Sequence, residues 1–435
     1  MSDRNTNSEV VELKGDGNPP ECVYPTSYGV PPNDVMQSPR NRNQFDVLVT
    51  NGWGRIAYNI VRSLGRRGLG IALGTDEFLG MALLSRYTTA HFHHPSIRNT
   101  AGFIESLKQA FRTFAPRVYL PSEQEVLVVS RFRDELDEYG VKIPIAPFET
   151  LCALHKKDAL TDLAASLGVP TPETIVPKDL ADVRAFAREI GDPVVVKRLC
   201  SSSGRGVFYT TREKLLADDG ASALRGLPFG KFLLQRYVGG TGCGVSMLFN
   251  HGQLRAKFTH KRLRERLSTG GVSTLRMSVQ NRLLEEYAER LLRHTCFHGV
   301  AMVEFKYDEA SNQAWLLEVN PRFWGSLALA IHSGVDFPHL VYRMALEGDV
   351  EPVLNYQTNV QGRWIMGDMF TVLLRMGRNG HQYPTTAEHP SARAFDDLDW
   401  RDPLPFAGQF IFSAWKYLIT LNASPEDAEI LPETL

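Results

Sequence analysis

Glu304, Glu318 and Asn320 are oxygen-bearing residues set inside an otherwise apolar stretch, GVAMVEFKYDEASNQAWLLEVNPRFWGS, residues 299–326. GVAMVEFKY and AWLLEV read as two strands, with turn chemistry in DEASNQ between them. Side chains alternate along a strand, so Glu318 and Asn320 leave from one face. A hairpin pairing puts Glu304 opposite or nearly opposite Glu318, whereas a slip of one residue turns it away. Two carboxylates and an amide oxygen gathered there repel one another and are costly to desolvate. A hard divalent cation removes that cost, because Mg²⁺ takes oxygen ligands and bridges to substrate phosphates. The plainer alternative is a hairpin whose acids simply face solvent. The residues upstream separate the two.

DPVVVKRL (192–199) reads as a buried strand with Lys197 near its end. SSSGRGVFYTT (201–211) follows, and small residues such as Ser202, Ser203, Gly204 and Gly206 let backbone N–H groups approach an anion closely. A ligand-free hairpin turn would use similar residues. Lys157 lies about forty residues before Lys197, in LHKKDALTDLAASLG (154–168), which has the pattern of one amphipathic helix closed by Gly168. KFLLQRYVGGTGCGVSMLFN (231–250) reads as strand, Gly-rich break and strand. The basic segment 254–278 ends in a Gly270–Gly271 loop and reads as a basic loop closing over phosphates. RLLEEYAERLLRHTC (282–296) is an amphipathic helix.

Lys157, Lys197, SSSGRG, QRYV, Glu304, Glu318 and Asn320 together resemble the ATP-grasp superfamily, in order and spacing, over roughly 150–346. RFWGS and GVDFP look like the carboxylate–amine ligase branch, with a carbamoyl-phosphate-synthase-like ATP-grasp fold. The resemblance implies an α/β and α+β multidomain chain: a disordered segment at 1–44, and a Rossmann-like pre-ATP-grasp domain at 45–150. A two-lobed ATP-grasp domain follows, with a small lobe at 151–230 and a large lobe at 231–349, then a C-terminal extension at 350–435 packed on the body.

By the same resemblance, Lys157 and Lys197 hold the α- and β-phosphates of ATP, and the backbone of 202–206 covers the β- and γ-phosphates. Gln235, Tyr237 and Val238 form the hinge where adenine is read. Glu304, Glu318 and Asn320 hold one or two Mg²⁺, with Mn²⁺ as a substitute. Arg322 stabilises the transferring phosphoryl group, while Arg262 and Arg276 ride a mobile basic loop near the second substrate. Relatives often carry an acid after the hinge for ribose, yet no Asp or Glu occurs from Gln235 to Arg264.

The activity implied is an ADP-forming ligase. A carboxylate becomes an acyl phosphate, and an amine then displaces phosphate to leave an amide. A related alternative activates a non-carboxylate oxygen, such as an enolised ketone of mycosporine type. A third reading comes from Gly52, Gly54 and Ala57, which fit a GxGxxA dinucleotide fingerprint after the strand FDVLVT, with Asp76 at a ribose-like distance. That pattern allows a nicotinamide oxidoreductase, although glycines at such a turn commonly serve only tight packing. A non-catalytic nucleotide-binding protein is the fourth.

Composition sets the outer bounds. With 435 residues, 43% hydrophobic, the chain can bury a large core in two or three domains. Its 48 basic and 49 acidic residues, formal net charge -1, give no electrostatic case for nucleic acid or a membrane surface. Cysteines 22, 152, 200, 243 and 296 form no CxxC pair, which suits a reduced, cytoplasmic setting. Small-molecule carboxylate and amine substrates are the expected partners, and a homodimer is compatible with all of this.

Overall fold

The structure, a computed structural model, describes residues 44–199, 206–265, 272–376 and 394–420. The segment expected to be disordered, apart from its last residue, lies outside the described residues, as do Ser202, Ser203, Gly204 and the Gly270–Gly271 pair.

The first sheet contains β1 (Val47–Val49), β2 (Ile71–Thr75), β3 (Ala90–His93) and β4 (Val118–Leu120). They are parallel, in the order β3-β2-β1-β4. VLV, IALGT and VYL are buried along their whole length, as parallel strands covered on both faces should be. Gly52, after β1, is a packing glycine: a Cβ there would lie 2.8 Å from Leu73 Cδ2. The backbone of residues 80–82 closes over this turn. Met81 and Ala82 N–H donate to the Trp53 and Gly52 carbonyls, and a Cβ on Gly80 would sit 2.2 Å from Trp53 Cα. Protein therefore fills the space beside Gly52, where a Cβ would clash with Leu73.

The second sheet is small and antiparallel: β5 (Thr174–Ile175), β6 (Val194–Arg198), β7 (Val207–Thr210) and β8 (Phe232–Arg236), in the order β5-β8-β6-β7. Val194, Val196, Phe232 and Leu234 pack against Val183 and Phe186 in a core of its own.

The third sheet has seven strands: β9 (Thr241–Asn250), β10 (Gln253–Glu265), β11 (Ser273–Val279), β12 (Gly299–Asp308), β13 (Gln313–Asn320), β14 (Gln361–Arg363) and β15 (Ala394–Phe395). Their order is β13-β12-β9-β10-β11-β14-β15. One face buries Val245, Met247, Ala301 and Val303 against Leu151, Leu160, Leu284 and Leu291 of three helices. From the other face, Leu248, Phe258 and Met302 join Ile56, Ile60, Trp324 and Phe337 in a core shared with the first sheet. Burying each such side chain is worth roughly 1.5–3 kcal/mol, so this shared core fixes the two sheets relative to each other.

Three expectations are corrected here. The segment 154–168 is two helices, Phe148–His155 and Lys157–Ser166, because Lys156 is extended at φ -75, ψ 123. Lys157 therefore starts a helix. The basic segment is not a loop over its described length but the paired strands β10 and β11, so its cations are fixed by sheet register. Cys152 and Cys243 are free, but Cys296 is disulfide-bonded, contrary to a fully reduced set. Residues 404–420 form a helix with one side buried and apolar surface exposed on the other. No described helix is long and apolar enough to cross a membrane.

Candidate active site

A cavity of about 640 Å³ opens between the small sheet, the seven-stranded sheet and the Trp53–Ile56 turn. Lys157, Lys197, Gln235, Tyr237, Val238, Arg262, Arg276, Glu304, Glu318, Asn320 and Arg322 all line it. Of the described candidates only Gly206 does not. It turns the chain at φ +66 beside the cavity wall, where a Cβ would strike Arg198 Cδ at 2.8 Å.

The hairpin register decides the acidic end. Glu304 pairs directly with Glu318, and Met302 with Asn320. The register shift in this hairpin falls beyond Glu304, between it and Phe305, so the acids stay aligned. Asn320 Nδ2 donates to Glu304 Oε1 at 3.2 Å and to Glu318 Oε1 at 3.1 Å. Arg262 donates to Glu304 Oε2, and its other terminal nitrogen lies 3.3 Å from Glu265 Oε1. Burial pushes the Glu304 carboxyl up; Arg262 opposes this and the neighbouring Glu318 adds to it. Burial acts on Glu318 too, but Lys157 and Lys197 outweigh it and hold that carboxyl below the usual range.

Lys197 sits on β6, across from Leu233 of β8 and Val207 of β7. Burial lowers its ammonium to about 8, with Glu318 favouring the charge and Lys157 opposing it. Lys157 Nζ donates to the Leu199 carbonyl at 3.3 Å, tying the helix start to the strand end. His155 carries an imidazole lowered to about 4 by burial and by the cations Lys157 and Arg322. The site thus sets two lysines against one strongly ionised carboxylate.

At the hinge, the Gln235 side chain donates to Thr174 Oγ1 at 2.9 Å and locks β8 to β5. Arg236 is held in an ion pair with Glu173, 2.6 Å apart. Tyr237 is exposed and meets Tyr209 edge-on, ring centres 6.0 Å apart. Arg322 Nη2 donates to Asn320 Oδ1 at 3.3 Å, and Nη1 to the Phe323 carbonyl at 2.8 Å.

Arg262 and Arg276 are direct partners across β10 and β11, so neither rides a mobile loop. Arg276 is buried in an ion pair with Asp396, 2.5 Å apart. Asp396→Ala would leave that guanidinium stranded in a dry interior and should cost about 3–5 kcal/mol. Urea unfolding of the variant measures this directly; a loss under about 1 kcal/mol would mean that solvent reaches Arg276.

Sequence reasoning missed Glu265, which lines the same cavity. Nothing local marks it. Antiparallel pairing of Lys261 with Cys243 carries the end of β10 back to the residues just after the hinge. A Cβ on Gly242 would lie 3.1 Å from Glu265 Oε1. Trp53 and Arg55 were also missed as lining residues, because their turn was read as sheet-to-helix packing.

Residues 228–367 match a family described as ATP-grasp in the biosynthetic pathway with Ter operon. The Campylobacter jejuni biotin carboxylase–β,γ-ATP complex superposes with a TM-score of 0.60 at 17% identity, over 73% of this chain and 74% of that one. The biotin carboxylase domain dimer of Hydrogenobacter thermophilus 2-oxoglutarate carboxylase, in complex with MgADP, ADP and bicarbonate, gives 0.59 at 16% identity, over 73% of each chain. An L-amino acid ligase from Bacillus licheniformis gives 0.55 at 16% identity, over 72% of this chain and 76% of that one. The segment 228–367 thus matches an ATP-grasp family, and the chain shares its fold with these three structures over about 73% of its length. The cavity lies between the small sheet and the seven-stranded one, with the paired acids on the floor formed by β12 and β13.

Proposed function

We infer that the chain is an ATP-dependent, ADP-forming ligase that joins a carboxylate to an amine, of the carboxylate–amine ligase branch. The observation that carries this reading is the convergence of Lys157 and Lys197 with Glu304, Glu318 and Asn320 in one cavity. Two directly opposed carboxylates, one with its pKa raised by burial, are a donor set that suits Mg²⁺. Glu304, Glu318 and Asn320 would hold the ion, which would supply positive charge to neutralise the phosphates.

Lys157 and Lys197 hold phosphate oxygens as point charges. Arg262 and Arg322 carry guanidiniums at the acidic end, where they orient a substrate carboxylate and stabilise charge on the transferring phosphoryl group. Carboxylate is a poor electrophile, and phosphorylation makes it one; the amine then expels phosphate. The protein contributes position and fixed charge, the main terms in phosphoryl transfer. Residues 45–150 close the far end of the cavity through the Trp53–Ile56 turn, in the role of a pre-ATP-grasp domain. A screen of amino acids and small organic acids for ADP release with Mg-ATP tests the proposal. No acid–amine pair raising ADP above the ATP-only rate, together with no thermal shift by Mg-ATP, would overturn it.

Glu265 takes the ribose in this reading, replacing the acid that is absent after the hinge. A carboxylate accepts from both hydroxyls of a vicinal diol, and this one reaches the post-hinge backbone. Wild type should bind ATP about tenfold more tightly than 2′,3′-dideoxy-ATP, a hydrogen-bond-sized difference. Glu265→Gln should lose most of that preference in a titration. A variant that still discriminates as wild type does would exclude the contact.

A further inference from the structure

The helix Leu404–Thr420 is apolar on two sides. Its inner side packs on the body: Phe412 is buried, and Gly408 lies so close to Leu84 that a Cβ would fall 2.3 Å from Leu84 Cδ1. Its outer side exposes Leu404 at 61%, Ile411 at 58% and Leu418 at 75%, with Trp400 at 81% just before the helix. Phe410 and Trp415 flank the stripe, and Phe78 meets Trp415 edge-on at 4.7 Å. Isolated exposed apolar residues are ordinary, but a contiguous patch of this kind marks an interaction surface.

The spacing selects the occupant. Leu404, Ala407, Ile411, Ala414 and Leu418 recur at steps of three and four, the seam of two packed helices. Large and small residues alternate along it. Set antiparallel about a two-fold axis level with Gln409, the stripe is self-complementary. Leu404 then meets Ala414 of the partner subunit, and Ala407 meets Ile411 of the partner subunit. Trp400 meets Leu418 of the partner subunit at each end. Every inner layer thus puts a large side chain against a small one, which is how facing helices interdigitate.

The area agrees. Whole aromatic side chains bury about 150–250 Å², so the exposed parts of this patch come to the order of 800 Å². That is about what each partner gives to a standard interface. A lipid surface is disfavoured, since interfacial helices carry a Lys/Arg-rich polar face. Here the opposite side is buried in protein, and Lys416 is the one charged residue between Pro403 and Thr420.

We propose that this face is a two-fold interface at which two copies of the chain pair helices 404–420 antiparallel. Sedimentation equilibrium of the full chain should give twice the 48.8 kDa monomer mass. Ile411→Glu places a charge in the central layer and should weaken the dimer on the order of 10²-fold or more, with the melting curve of the monomer unchanged. Ala407→Trp, which overfills the same layer, should act alike. Register is read by oxidation: Leu404→Cys protein mixed with Ala414→Cys protein should form a mixed disulfide dimer, while either alone should not exceed the parent. A wild-type monomer, or a dimer indifferent to Ile411→Glu, would overturn the interface. Flotation of a monomer with phosphatidylcholine–phosphatidylglycerol vesicles, abolished by Ile411→Glu, would equally overturn it and assign the face to lipid. None of these readouts depends on the ligase reaction.

Discussion

Glu318→Ala should reduce ADP formation to background, a loss of roughly 10³-fold or more, the scale seen when one essential charge-stabilising group is removed. Glu318 is the acid whose carboxyl stays ionised in the buried site, because Lys157 and Lys197 outweigh burial. Under the proposed function, removing it takes away an oxygen donor for the metal and a negative charge that acts on both lysines. The hairpin should survive, since β12 keeps its long pairing with β9 as well as β13. Circular dichroism and the melting temperature check the fold, and coupled ADP release checks the chemistry. Glu318→Gln keeps shape and removes only charge, so it should be nearly as inactive. Normal turnover in either variant would remove the metal assignment.

The second large effect concerns Lys197. Its ammonium is lowered to about 8, mainly by burial. A lysine serves phosphate only when protonated, so kcat/KM for ATP should fall as pH rises through about 8. Bound phosphates favour the ammonium, so kcat itself should stay flat to higher pH. Lys197→Met should lower kcat/KM by about 10²-fold or more and abolish that limb, since one close charge–phosphate contact is worth several kcal/mol in a dry site. Folding carries the matching sign. Between about pH 8 and the ordinary lysine range the unfolded chain binds the extra proton, so this group makes stability rise with pH there. A pH profile of kcat/KM with no limb near 8 would mean that Lys197 does not touch the nucleotide.

Much of the acidic end was legible because strand periodicity is short-ranged. Glu318 and Asn320 share a face whatever else the chain does, and only one hairpin register puts Glu304 beside them. Lys157 was visible as a residue but not as the start of a helix, since the break at Lys156 carries no proline or glycine to mark it. The basic segment misled for a similar reason. Alternating apolar residues in KFTHKRL were outweighed by their charges, and those charges turn out to be held by Glu285, Glu309 and Glu304 from distant parts of the chain.

By itself, then, the order of residues singled out the candidate groups and determined which side of their own strand they leave from, because dihedral geometry repeats every two residues. Tertiary structure alone decided that Glu265 returns to the hinge, that Arg276 answers to Asp396, and that the helix 404–420 turns one apolar side outward. Each depends on contacts between segments many residues apart. Such contacts form only where sheet register and core packing agree, and neither quantity is encoded within a local window.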